Sequence, residues 1–444
     1  MKHPFANLLQ LIPILGKNHS YFNARPIELF RIAFGIIVIL QMLWFIKVDF
    51  VYEDIIKPII HFPFFSFLKP LPDFIMHSII YLNIIAGVGI ILGRYLKIVL
   101  GFFLLSFTYL WLLDKGYYNN HYYLTSLIAF LLLLIPGLGE NGWKIKRENI
   151  THSLPRWCFQ ILKFQWFIVF FIAGVNKLNK YWLFQFQPMK FVFDFKAKFS
   201  GNQFWAQEWL APLFSYGGLF FDLGIGFLLL FKKTRLIAFL LLVGFNSFNG
   251  IFFSDIGEIG IFPFFVLTAI LVFLETEETT SKQQLKIKPS KLTHYLLYAW
   301  VIFQFVFPFR HLLYKGYVDW TGEQQRFAWR MKIAQKEVDM QFYVNEKGNQ
   351  QKHPINIEKT LTPKQYNNLG YCPDFLPVLG EFLAQEAEKQ GIRKPIVTAD
   401  FKVSLNGNAK QYIINNKQAL NQLSYANSKH NKWIKLAKKN IKNN

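Results

Sequence analysis

The stretch FQWFIVFFIAGVNKLNKYWL, Phe164 to Leu183, delivers one amine, Lys177, to the end of an almost uncharged apolar run. An ammonium at the edge of hydrocarbon is poorly solvated, which makes its neutral, basic form accessible. The same placement suits a lysine that merely snorkels to the membrane interface. A bend at Ala173-Gly174 is expected just before it. Two further segments carry chemistry. LLDKGYYNNHYYL, residues 112–124, offers Asn119, Asn120 and His121 among four tyrosines. Amides and an imidazole between aromatic walls suit a planar, hydroxylated ring. FPFRHLLYKGYVDWTGEQQRFAWRM, residues 307–331, gathers Arg310, His311, Trp320, Arg326, Trp329, Arg330 and Met331. A juxtamembrane linker with interfacial aromatics is the plain alternative for it, as a polar turn is for 112–124. A fourth set is intramembrane: Asp222, with Asn246 and Asn249 one helical turn apart. Such groups serve as interhelical hydrogen bonds or line a site.

Positioning these residues falls to a membrane protein. Hydrophobic residues make up 52% of the 444, and Phe alone accounts for 50. Nine apolar blocks are long enough to read as spans, near 27–46, 75–92, 96–113, 122–138, 157–175, 212–230, 236–253, 259–274 and 294–309. The stretch 55–74 reads as a re-entrant piece. No cleavable signal peptide is expected, because the first apolar run follows a long polar tail without a small-residue cleavage site. The net charge of +22, which in a soluble chain would suggest nucleic acid, is largely topological here. With the N-terminus inside, the inner segments hold 16 Lys and Arg and the outer ones 9. That bias predicts a cytoplasmic N-terminus and an extracytoplasmic region after Phe309. It also puts all three chemistry-bearing segments on the outer side.

Residues 310–444 read as a small mixed domain. VDMQFYV and INIEK form a predicted hairpin, PDFLPVLGEFLAQEAEKQG a helix ending at Gly391, and IVTADFKVSLNGNAKQYIIN a second hairpin turning at Asn406-Gly407. The basic tail KWIKLAKKNIKNN is expected to be a solvated, frayed end. The acidic run at 275–284 is expected to be an inner loop. Cys158 and Cys372 fall on opposite sides of the membrane and so cannot pair. No metal-ligand spacing, phosphate loop or dinucleotide fingerprint is present, so neither a metal nor nucleotide chemistry is expected. The fold class expected is therefore a polytopic α-helical membrane domain over 1–309, followed by a small α+β extracytoplasmic domain over 310–444.

At these motifs the chain resembles the vitamin K-dependent gamma-glutamyl carboxylases. DKGYYNNHYYL, FIAGVNKLNKYWL and PFRHLLYKGYVDW…RFAWRM are similar to that family's membrane-domain (HTTM) motifs, in the same order. PDFLPVLGEFLAQEAEKQG and VSLNGNAKQYIIN look like its soluble part. The resemblance implies a lyase that couples oxygenation of a reduced naphthoquinone to its epoxide with carboxylation of protein glutamate to γ-carboxyglutamate. The cofactor implied is reduced vitamin K or menaquinone, with O2 and CO2 as co-substrates. A glutamate-containing protein or peptide is the implied partner, alongside the bilayer. By the family's pattern Lys177 is the base that activates the hydroquinone, and Asn120 and His121 hold its oxygens. Asn249, Trp329 and Met331 complete the quinone site, and His311 serves the glutamate or carbon dioxide. Arg310, Arg326 and Arg330 draw in the carboxylate substrate. Asn246 and Asn176 stand where vertebrate members carry histidine and lysine. The vertebrate enzymes continue into a longer luminal region, so a bacterial-type member of the inner membrane is expected. Two other readings stay open: a quinone-linked membrane enzyme with a different substrate, and a non-catalytic transporter or assembly factor.

Overall fold

The computed structural model describes residues 20–139, 153–252, 260–274, 291–349 and 351–437. The N-terminal tail, the acidic run at 275–284, the outer segment at 254–258 and the last seven residues therefore lie outside the described residues. Each of the nine apolar blocks forms a helix. These are α1 (Arg25–Lys47), α2 (Asp73–Leu92), α3 (Leu96–Leu112), α4 (Asn120–Leu134) and α5 (Arg156–Asn176), followed after two shorter helices by α8 (Leu210–Leu230), α9 (Arg235–Phe252), α10 (Phe262–Val272) and α11 (Lys291–Val306). The two intervening helices are α6 (Lys180–Phe184) and α7 (Met189–Ser200). Among the described residues six helical stretches are long and apolar enough to span, the last running over Tyr295–Leu313, while α3, α4 and α10 are shorter. The chain is a multi-pass helical membrane protein. Exposed apolar side chains such as Ile98, Leu105 and Leu236 give these helices a face suited to hydrocarbon.

Local rules account for the helix ends. Pro26 sits in the first turn of α1, where an N–H would go unused, and Lys47 sits in its last turn, against the negative end of the dipole. Gly93, at φ 72°, closes α2 in the left-handed conformation. α1 and α2 meet at Gly35 and Gly87: a Cβ on Gly35 would lie 2.8 Å from the Gly87 carbonyl oxygen. Small residues are what let membrane helices approach so closely.

The connections sort to two ends. At one end β1 (Tyr21–Asn23) pairs antiparallel with β2 (Ser153–Pro155). There Lys97 donates to the Ile135 carbonyl at 2.5 Å, and Glu28 accepts from the Gly139 N–H at 2.9 Å while pairing with Arg31 at 2.6 Å. At the other end lie 48–72 and 113–119, which meet the C-terminal region. Residues 57–72 lack regular helix and pack on the C-terminal region at that end: Gln365 donates to both the Ile60 carbonyl and Asp114, and Phe62 stacks on Phe375 at 4.0 Å.

The C-terminal region is a four-stranded sheet in the order β4-β3-β5-β6, with α12 (Phe375–Lys389) packed on it. β3 (Lys336–Glu346) turns back into β4 (His353–Ile355), and β5 (Pro395–Leu405) turns through Asn406 and Gly407 into β6 (Gln411–Tyr412). Both turn residues have positive φ, 52° and 76°, as an Asn-Gly turn requires. The eleven-residue pairing of β3 with β5 joins the two hairpins. One expectation is corrected. The tail is not frayed through residue 437: Ile434 is buried, and the Lys435 carbonyl accepts from the Trp320 indole at 2.8 Å. An apolar side chain every few residues gave this basic segment something to bury.

Candidate functional site

α5 reaches its C-terminus intact, so Ala173-Gly174 is not a bend; the chain turns only after Lys177. Gly174 instead marks where α5 crosses α8. A Cβ there would fall 2.8 Å from the Leu223 backbone nitrogen and side chain. That close approach sets Lys177, one turn on from Gly174, beside Asp222, the neighbour of Leu223. The Lys177 Nζ donates to Asp222 Oδ2 in a buried ion pair, and the Trp182 ring lies 5.1 Å from the ammonium. Asn179 caps α6 by accepting from the Trp182 N–H at 3.1 Å, which fixes that ring's helix.

α4 starts at the same end. Asn119 is its N-cap, accepting from the His121 N–H, and His121 is left 8% exposed with its ring against Tyr122 and Phe262. Among the described residues no protein group hydrogen-bonds the His121 ring. Asn120 accepts from the Tyr118 hydroxyl at 2.9 Å and donates to the Arg330 carbonyl at 3.3 Å.

The third wall is the strap 324–332, an irregular segment in which four non-glycine residues take positive φ: Gln324, Phe327, Trp329 and Lys332. Such backbone costs about 1–3 kcal/mol per residue and persists only where the surroundings over-determine it. Here they do. Asn176 donates to the Ala328 carbonyl at 2.7 Å and accepts from Arg330 at 2.9 Å. Arg330 pairs with Asp319 at 2.7 Å, and Arg326 pairs with Asp374 at 3.0 Å. Arg310 donates to the Gln324 amide and the Arg326 carbonyl, and the Phe327 N–H donates to the Tyr118 hydroxyl at 2.7 Å. Burial pushes the Asp374 carboxyl up, but the Arg326 guanidinium and the Lys115 ammonium, 3.0 Å away, hold it below the usual carboxylate range.

These walls enclose a cavity of about 880 Å³, within the usual size for a small-molecule site. Of the residues expected at a site, Lys177, Asn120, His121, Asn249, Arg330 and Met331 line it, as do Asp222 and Asn246. Four do not. Trp329 is buried behind the wall, stacked on Tyr123 at 5.2 Å. His311 is buried with Nδ1 at 2.9 Å from the Pro308 carbonyl, and Arg310 and Arg326 are engaged in the strap. Lys332, Trp166 and Phe262 are lining residues for which the sequence held no signal beyond their types. The cavity also extends between α8 and α9 to the exposed apolar side chains Leu213, Phe220 and Leu240. Gly217 and Gly244 line that crevice, with open space where a Cβ would stand. The arrangement has an apolar, ring-walled interior, a few convergent polar groups and a side opening toward hydrocarbon. It can take a lipid-soluble planar molecule and move a proton at its polar end.

The family model described as HTTM domain matches residues 20–277, more than half the chain, and that described as vitamin K-dependent gamma-carboxylase, lumenal domain, matches residues 289–440. No solved structure matches the chain.

Proposed function

The chain belongs to the vitamin K-dependent gamma-carboxylase family, and from that premise we propose that it couples oxygenation of a reduced naphthoquinone to its epoxide with carboxylation of glutamate side chains. The observation that carries this is the single cavity onto which Asn120, His121, Lys177 and Met331 converge from three segments of the chain. The His121 imidazole, without a hydrogen-bond partner among the described residues, and the apolar walls fit a quinol ring, and the α8–α9 crevice fits its tail. The bound quinol supplies, on oxidation, the driving force that removal of a γ-proton demands, which no side-chain base can supply. The chain's own tasks are then binding, orientation, exclusion of water and the first proton transfer.

His121 and the remaining amide hydrogen of Asn120 hold the quinol oxygens, with Asn249 facing them. Met331 and Trp166 close the ring site against water, and Trp329 and His311 hold the strap and its approach in place. Lys177 takes the proton of the quinol hydroxyl. Arg330, although paired with Asp319, and Lys332 bring positive charge to the wall where a glutamate carboxylate would approach; Arg310 and Arg326 hold the strap that carries them. The reading makes the protein a lyase of the cell membrane with its N-terminus cytoplasmic and its C-terminal domain extracytoplasmic.

The test uses the purified protein in nanodiscs with reduced menaquinone, a short glutamate-rich peptide and labelled bicarbonate. Epoxide and carboxylated peptide from the wild type, and neither from Lys177→Ala, are expected. Epoxide without carboxylation would transfer the reading to a quinone-linked enzyme with another substrate. Neither product, with quinone bound, would reject catalysis.

A further inference from the structure

A neutral amine is what the first proton transfer needs, yet the structure gives Lys177 a carboxylate. Asp222 is buried on α8, and among the described residues Lys177 is its one hydrogen-bond partner; the carboxylate's other oxygen bonds to no protein group. Both side chains line the cavity. A buried aspartate whose sole purpose was to join α5 to α8 would be a costly choice, since replacing a buried ion pair by apolar residues is often neutral or stabilising. Here Gly174 already permits the helices to meet backbone to side chain, and Gly226 does so again against Phe167, where a Cβ would lie 2.7 Å from the ring. The crossing does not need the charge.

We propose that Asp222 is the proton partner of Lys177, so that the two work as a dyad. This rests on the quinol reading of the cavity and deepens it. At rest the pair holds one proton, as ammonium and carboxylate. When the quinol hydroxyl is presented, Lys177 gives a proton to Asp222 and takes the hydroxyl proton. One O–H bond of the quinol and one N–H bond of Lys177 break, while one O–H bond forms on Asp222 and one N–H bond re-forms on Lys177. The dyad ends with two protons and one positive charge, facing the quinolate's negative charge. Asp222 touches no substrate: it is a positioning residue acting through Lys177. Among the described residues, the other charged or titratable groups on the cavity wall are His121 from α4 and Arg330 and Lys332 from the strap; α6, α7, α9 and α10 contribute none. Arg330 is held by Asp319, so among the described residues Asp222 is the one carboxylate available to Lys177 at the wall.

The dyad and a simple tether predict opposite pH behaviour. A tethering carboxylate only stabilises the ammonium, so its removal would free the amine and move the acid limb of epoxidation to lower pH. In a dyad the wild type stays active until the carboxylate itself is protonated. Without that carboxylate Lys177 must first lose its own proton to solvent, so the acid limb moves to higher pH. The experiment measures epoxide formation against pH for wild type, Asp222→Asn and Asp222→Glu in nanodiscs with reduced menaquinone. Alongside it, infrared difference spectra are recorded on adding reduced menaquinone without oxygen. Expected are an acid limb shifted upward and a loss of about 100-fold near neutral pH in Asp222→Asn, with recovery of both in Asp222→Glu. The carbonyl band of a protonated carboxylic acid should appear in the wild type, shift in Asp222→Glu and vanish in Asp222→Asn. An acid limb that moves down or stays, or a wild type without the band, overturns the dyad while leaving the quinol reading intact. The second of these holds even if Asp222→Asn fails to fold. A wild type that binds quinol but forms no epoxide removes the quinol reading, and the dyad with it.

Discussion

At the scale of single residues, the polar groups of the cavity divide into those already satisfied by the protein and those left open. His121 is open, Asn120 is half engaged, and the arginines of the strap are engaged. Replacing His121 with Ala should therefore lower epoxide formation by about 100-fold while leaving the thermal midpoint almost unchanged, because no hydrogen bond to a described residue is lost. Arg326→Ala should do the reverse. It leaves the buried Asp374 carboxylate to Lys115 alone, and the loss of charged hydrogen bonds costs about 1.5–3 kcal/mol, visible as a lowered denaturation midpoint in detergent. Equal stability losses in the two variants would refute this division.

Among the elements, the decisive contact is the α5–α8 crossing at Gly174. A methyl group there meets the Leu223 backbone, which cannot move aside as a flexible side-chain tip would. Gly174→Ala should cost about 1–3 kcal/mol through overpacking and reduce epoxidation by separating Lys177 from Asp222. Gly101→Ala on α3, where nothing lies within 4 Å of the new Cβ, should leave both stability and activity as they were. Measuring the two alanine variants side by side checks the crossing; identical behaviour would show that it does not position the dyad.

For the molecule as a whole, the sheet domain is joined to the helices by the Phe62–Phe375 stack, the Gln365–Asp114 bond and the Lys115–Asp374–Arg326 cluster. The folded-state value of Asp374 lies below its ordinary 3.8. Its contribution is thus complete above pH 3.8 and is lost as pH falls through the depressed value. Hydrogen exchange at residues 363–376 should rise in that acidic window before the core of β3 and β5 opens, and Asp374→Asn should show the same release at neutral pH. The proposed sidedness is checked by cysteines placed at exposed positions. A thiol at Lys359→Cys should react with an impermeant reagent from outside the cell, while one at Arg94→Cys should be protected.

Much of this architecture was legible in the residues alone. Apolar blocks mark helices because the solvating environment demands it, and Asn406-Gly407 marks a turn because its backbone needs positive φ. The motifs around His121, Lys177 and Met331 marked a site, and the cavity joins them. What the sequence could not express was partnership across long separations. Asp222 reads as an isolated intramembrane acid, and only the packing of α8 on α5 makes it the companion of a lysine 45 residues earlier. The arginines read as a cationic lure, and only the fold commits Arg326 to Asp374 and Arg330 to Asp319. Hydrophobic periodicity reports which environment each side chain prefers. Which distant side chain it meets is decided by how helices cross, and that depends on the close approach of backbones at positions such as Gly174.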